Sequence, residues 1–143
     1  MLTNQLLFGT VIITSTVVFH VVSLVLLANV LRYLNKTRNL FESNSGLLFC
    51  IILTVLTIIG IHTIEAWTWA AIYYFLGEFS EFSQALYFSV VTSTTLGYGD
   101  IILSERWQIL GTFESMGGLI LFGTSTAFLL GLLEKLIFKD KRD

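Results

Sequence analysis

Thr95-Leu96-Gly97-Tyr98-Gly99 places glycine at alternate positions directly after a short, largely apolar stretch. Glycine takes φ > 0 at little steric cost, so this spacing lets successive residues alternate in handedness and aim their carbonyls at one axis. A ladder of carbonyl oxygens can replace the hydration shell of a cation, and the Thr95 hydroxyl adds an oxygen at one end. The chemistry is coordination of an ion without covalent change. A second set of reactive side chains, His20, His62, Glu65 and Glu114, falls inside otherwise apolar segments. Ionisable groups in such segments turn away from lipid, find partners and mark functional sites. His62 and Glu65 are three residues apart and share one helix face, with His20 or Glu114 as partners from other helices. Such a polar site is either a static contact that docks one helix on the rest or a switch in which a histidine beside a carboxylate changes charge.

The elements that must hold these residues are apolar. Of 143 residues, 55% are hydrophobic and only 13% charged, which excludes an ordinary soluble domain. No charged side chain occurs between Met1 and Leu31, a stretch longer than the roughly 20 residues that a bilayer span needs. Three spans emerge, at about residues 6–31, 47–75 and 109–133, and all read as transmembrane helices. The first five residues carry no positive charge and the apolar run exceeds a signal-peptide core, so the first span reads as a retained anchor. Cys50 is the sole cysteine and supports no disulfide framework. Nothing in the charge pattern suits nucleic acid.

Charge sidedness orients the spans. Arg32, Lys36 and Arg38 follow the first, and Lys135, Lys139, Lys141 and Arg142 follow the third, so both segments are expected on the cytoplasmic side. Glu78, Glu81, Asp100 and Glu105 face a single Arg106 between the second and third spans, which puts that region outside. The N-terminus is then outside and the C-terminus cytoplasmic, in a plasma or inner membrane. Ser43-Asn44-Ser45 offers caps for the second helix, with Gly46 allowing a turn before it. Trp67, Trp69, Tyr73 and Tyr74 are expected in the outer headgroup layer, with Trp107 at the outer start of the third helix.

Residues 83–94 are apolar enough to be buried, yet their roughly 18 Å of helix is too short to cross the hydrocarbon core. This segment is expected to enter and turn back, capped by Ser80 or Ser83. Its C-terminal carbonyls would then direct partial negative charge to the membrane centre, where a cation is favoured.

The string Thr92-Ser93-Thr94-Thr95-Leu96-Gly97-Tyr98-Gly99-Asp100 closely resembles the signature of pore-loop potassium channels. The resemblance covers about residues 47–133, as outer helix, pore helix, filter and inner helix. It implies K+ coordination by the carbonyls of Thr95, Leu96, Gly97 and Tyr98 and by the Thr95 hydroxyl, with Gly99, Asp100 and Tyr87 as filter support. Tyr87 and Asp100 occupy positions where an aromatic donor and the acid after the filter often meet in that family. Leu96 departs from the commoner valine or isoleucine and bears on filter rigidity and fine selectivity. Ile102 stands where members sensitive to external tetraethylammonium carry an aromatic residue. A hinge role for Gly117 or Gly118 is also implied, beside close helix packing through small residues. Thr126 is expected to line the cavity below the filter.

One chain supplies one filter strand and a ring of carbonyls needs four, so three identical subunits are the expected partners, in membrane lipid. The expected fold is all-α: three transmembrane helices, a re-entrant pore helix and an extended filter, in a homotetramer. Residues 1–46 form an extra helix with a basic linker, and residues 47–143 the pore domain. The first span lacks a row of arginines and so is no charged voltage sensor. An intramembrane hydrolase or metalloenzyme built on His20, His62, Glu65 and Glu114 is a rival reading, but no His-Glu-x-x-His or paired-aspartate motif supports it. A transporter with a channel-like filter resembles four fused, degenerate repeats, whereas here one intact repeat stands alone. No enzymatic activity and no organic cofactor are expected.

Overall fold

The computed structural model describes residues 2–137. Met1 and the basic residues Lys139, Lys141 and Arg142 lie outside the described residues. The chain forms α1 (Leu2–Arg38), a 3-10 turn (Leu40–Glu42), α2 (Asn44–Phe75), α3 (Phe82–Ser93) and α4 (Gln108–Ile137), with no strand among the described residues. α1, α2 and α4 are long and apolar enough to cross a membrane, and α3, at 12 residues, is not.

Hydroxyl side chains sit in these apolar helices because each returns its proton to a carbonyl one turn earlier. Thr10 donates to Leu6 O at 2.7 Å, Ser15 to Val11 O at 2.8 Å and Thr54 to Cys50 O at 2.8 Å. α1 stops where Asn39 turns left-handed at φ 47°, and the Asn35 side chain accepts from the Phe41 amide at 2.9 Å across the turn. Ser43 caps α2 as expected, accepting from Gly46 N at 3.0 Å. Gly46 itself lies inside the first turn of α2, and a Cβ there would sit 2.1 Å from the Leu40 carbonyl oxygen. Close approach to the preceding turn, not turn formation, requires glycine at 46. Gly77, at φ 76°, ends α2.

α1 lies along α4. A Cβ on Gly9 would fall 2.8 Å from the Phe113 ring, Ile13 packs on Gly117, and Leu27 and Leu31 share a cluster with Phe128 and Leu132. α2 packs chiefly on α3, and α3 on α4, around a core that includes Trp69, Tyr73, Ala85 and Leu110. Tyr73 is fully buried and meets the Phe88 ring edge to face at 5.1 Å, while Trp69 is 3% exposed. These two aromatics therefore belong to the core and not to an outer headgroup belt. Trp67 and Tyr74, on the other face of α2, are exposed. Leucines, valines and isoleucines such as Leu7, Val11, Leu56 and Ile59 cover the outer faces of α1 and α2, as a lipid-facing surface demands.

Candidate functional site

α3 presents its C-terminus to the glycine-bearing segment. Its N-terminus is at Glu81, which makes no side-chain cap bond; Ser83 instead donates to the Glu81 carboxylate at 3.1 Å, so neither Ser80 nor Ser83 caps the helix. At the other end Thr95 N bonds Thr92 O at 2.9 Å, and the amides of Leu96 and Gly97 both reach Val91 O, at 3.0 and 3.2 Å. The chain thus leaves α3 in two tight steps that hold its first three amides inward.

From there the backbone alternates. Thr95, Gly97 and Gly99 have φ of 60°, 55° and 75°, while Leu96 and Tyr98 between them do not enter the positive range. For a β-branched residue such as Thr95 this conformation is strained, and it persists only where the surroundings impose it. Nothing lies within 4 Å of a Cβ built on Gly97 or Gly99 in the subunit, so the demand for glycine there is conformational and not one of space. Residues 94–100 are all exposed on the subunit surface, with Leu96 and Tyr98 at 56% and 67%.

Three supports fix this segment. The Tyr87 hydroxyl donates to Asp100 Oδ2 at 2.7 Å, a bond that raises the phenol above its ordinary range. Glu78, in the loop after α2, accepts from Ser104 N at 2.7 Å and from Ser104 Oγ at 2.8 Å, tying the segment before α4 to the loop before α3. Ser115 on α4 donates to Thr92 O at 2.9 Å, so the C-terminal end of α3 rests on α4. Gly118 allows the closest contact of all: a Cβ there would lie 1.9 Å from the Ser93 carbonyl oxygen. Gly117 faces Ile13 of α1. Both glycines lie within the unbroken helix α4 and have visible packing reasons. Thr126 is exposed on the face of α4 that also carries Met116, Leu119, Gly123 and Leu130.

The intramembrane polar residues divide into two groups. Glu114 is fully enclosed, accepting from the Tyr73 hydroxyl at 2.7 Å and from Ser89, which also touches Ala66 O. His20, His62 and Glu65 meet one another instead, and Glu114 takes no part in their contacts. Glu65 reaches His20 Nδ1 at 2.9 Å and His62 Nδ1 at 3.1 Å, and both histidines reach Ser125 Oγ through Nε2. Reading the sequence missed Ser125 and Tyr73 as polar partners. A serine among the small residues of α4 looks like packing, and a tyrosine near a helix end looks like an interface anchor.

What the site can do is hold an exposed backbone segment of alternating φ at the end of a short helix and buttress it through α2 and α4. A profile of a family described as "Ion channel" matches residues 61–135, which take in the second half of α2, all of α3, the glycine-bearing segment and nearly all of α4. No curated protein and no solved structure matches the chain. Spanning just over half of the chain and the whole of the candidate site, that match establishes the chain as a multi-pass membrane protein of the pore-loop ion-channel family.

Proposed function

We propose that the protein is a potassium-selective channel subunit and that four copies surround one pore. The observation that carries the reading is the alternation of positive φ at Thr95, Gly97 and Gly99 directly after α3. Alternating handedness turns successive carbonyls toward one side, and rings of such carbonyls replace the hydration shell of K+. In this reading Thr95, Leu96, Gly97 and Tyr98 coordinate the ion, Gly99, Asp100 and Tyr87 support the filter, and α3 is the re-entrant pore helix. K+ is the permeant ion. Exposure of the whole 94–100 segment in one subunit supports assembly, because irregular backbone at membrane depth needs a protein or aqueous neighbour. Four-fold closure supplies both, with Thr126 facing the cavity below the filter. The charge distribution supports an outer N-terminus and a cytoplasmic C-terminus in a plasma or inner membrane.

The test is reconstitution into planar bilayers under opposed K+ and Na+ gradients. A reversal potential near the K+ equilibrium value is expected. A potential near zero with ionic current would make the pore a mixed cation channel, and the absence of unitary currents would remove the channel reading.

A further inference from the structure

His20 of α1, His62 and Glu65 of α2, and Ser125 of α4 close a four-membered ring of polar contacts. His20 Nδ1 to Glu65 Oε1 is 2.9 Å, Glu65 Oε2 to His62 Nδ1 is 3.1 Å, His62 Nε2 to Ser125 Oγ is 3.1 Å, and Ser125 Oγ to His20 Nε2 is 3.0 Å. His20 is fully buried and Glu65 is 4% exposed. The His62 ring lies flat on Phe122, with centroids 4.4 Å apart and planes at 24°, which fixes its orientation. His62 and Glu65 border a cavity of about 320 Å³.

Protons alone close this ring only if it carries one more than two neutral imidazoles and an ionised carboxylate supply. A neutral imidazole has one N–H and one lone pair, and an ionised carboxylate only accepts. If both Nδ1 atoms donate to Glu65, both Nε2 lone pairs converge on Ser125, whose single hydroxyl proton satisfies one of them. Moreover, Glu65 Oε2 makes no well-formed hydrogen bond, although His62 Nδ1 lies 3.1 Å away. A buried carboxylate oxygen without a well-placed donor is costly.

We propose that His20, His62 and Glu65 bind a divalent transition-metal ion of the zinc type, with Ser125 as the partner that orients both imidazoles. One potential ligand atom from each of the three residues lies within 4.8 Å of the others. Two histidines and a glutamate are a donor set that Zn2+ takes with a fourth position open. Imidazole selects zinc-like ions over K+, Mg2+ or Ca2+, which prefer oxygen. With bonds of about 2.0–2.1 Å, tetrahedral ligand atoms stand about 3.3 Å apart; the 2.9 Å contact to Oε1 and the 3.1 Å contact to Oε2 need to open by tenths of an ångström, and the remaining separations, within 4.8 Å, to close toward that value. Metal on the Nδ1 side leaves an Nε2–H on each histidine. Both then donate to Ser125 Oγ, which has two lone pairs to receive them, while its own proton turns to a carbonyl of α4. The orphaned Glu65 oxygen faces the ion. Water from the cavity can fill the open position, and zinc-bound water ionises near neutral pH, so one hydroxide and one carboxylate balance the metal charge inside the membrane. The ion would tie α1 to α2, with α4 in support, beside a cavity that Ser93 and Thr94, just before the glycine-bearing segment, also line.

The experiment uses the full chain purified in detergent, stripped with chelator and titrated with cobalt(II) chloride as a visible probe. One cobalt per chain is expected, with the d–d absorption of a four-coordinate nitrogen and oxygen site, displaced by zinc chloride. Zinc should also raise the thermal midpoint of the stripped protein. His20→Gln, His62→Gln and Glu65→Gln should each weaken cobalt binding by more than the roughly 10–100-fold that loss of an outer partner costs, and Ser125→Ala by about that range. Glu114→Gln, on the same cavity, should bind as the wild type does. Folded wild type that takes up no stoichiometric cobalt overturns the proposal, whether or not the variants fold. So does uptake undiminished in the His20→Gln/His62→Gln double variant. None of these readings depends on conduction, so they separate the metal site from the channel assignment.

Discussion

Alanine at Gly97 or Gly99 would carry a Cβ into backbone held at φ 55° or 75°, at a cost of about 1–2 kcal/mol per subunit. In the proposed ring of four that cost would recur at every copy. Either substitution is expected to abolish K+-selective current, and bilayer recordings with unchanged reversal potential in both variants would remove the filter assignment. Tyr87 acts differently, through its hydroxyl. Because the bond to Asp100 holds the phenol above its ordinary value, its contribution is complete below pH about 10 and is lost as pH rises through the raised value. Tyr87→Phe should therefore lower thermal stability or speed inactivation at neutral pH and remove one alkaline step. Superimposable wild-type and variant curves from pH 7 upward would show that the bond contributes nothing. The alternation itself was legible in the sequence, because Gly97 and Gly99 are the residues that reach positive φ freely. That Thr95 joins them was not, since a β-branched side chain argues locally against that conformation.

At the scale of elements, α4 and α3 meet where Gly118 admits the Ser93 carbonyl. Backbone cannot yield as a side chain can, so Gly118→Ala forces the helices apart and should cost about 1–3 kcal/mol or more. Gly60, on an exposed side of α2 with nothing within 4 Å of a Cβ, is the control, and Gly60→Ala should be neutral or slightly stabilising. Thermal unfolding of both variants in detergent measures the difference, and equal midpoints would contradict the close contact. Helix lengths and order were readable from apolar runs and caps, Ser43 above all. The packing partners of α1 were not. Its outward faces are uniformly apolar, and periodicity disappears when lipid and protein interior are equally nonpolar.

At the scale of the whole molecule, residues 94–100 and the stripe of α4 through Met116, Gly123 and Thr126 are exposed. Four-fold assembly is expected to cover them, and native mass spectrometry from detergent should give about four times the 16.1 kDa chain. A stable monomer or dimer that still conducts would refute the arrangement. In the proposed tetramer four Ile102 side chains, exposed in the single chain, would surround the outer mouth and offer no aromatic cage for a quaternary ammonium ion. External tetraethylammonium should accordingly block only weakly, and Ile102→Tyr should strengthen block. Strong block of the wild type at low concentration would count against this placement of the mouth.

The sequence by itself determined membrane residence, three spans, a helix too short to be a fourth and the glycine alternation after it. Each of these follows from local quantities: apolar length, charge sidedness and the conformational freedom of single residues. Only the tertiary structure decided which polar groups meet. It joined His20 and His62 through Glu65 and Ser125, separated Glu114 to Tyr73 and Ser89, and moved Trp69 and Tyr73 from an expected interface into the core. Those pairings depend on the rotation of each helix about its axis. Where helices are apolar all round, that rotation is set by the few close contacts at Gly9, Gly117 and Gly118 and by the polar groups themselves, which become neighbours only after the helices have packed.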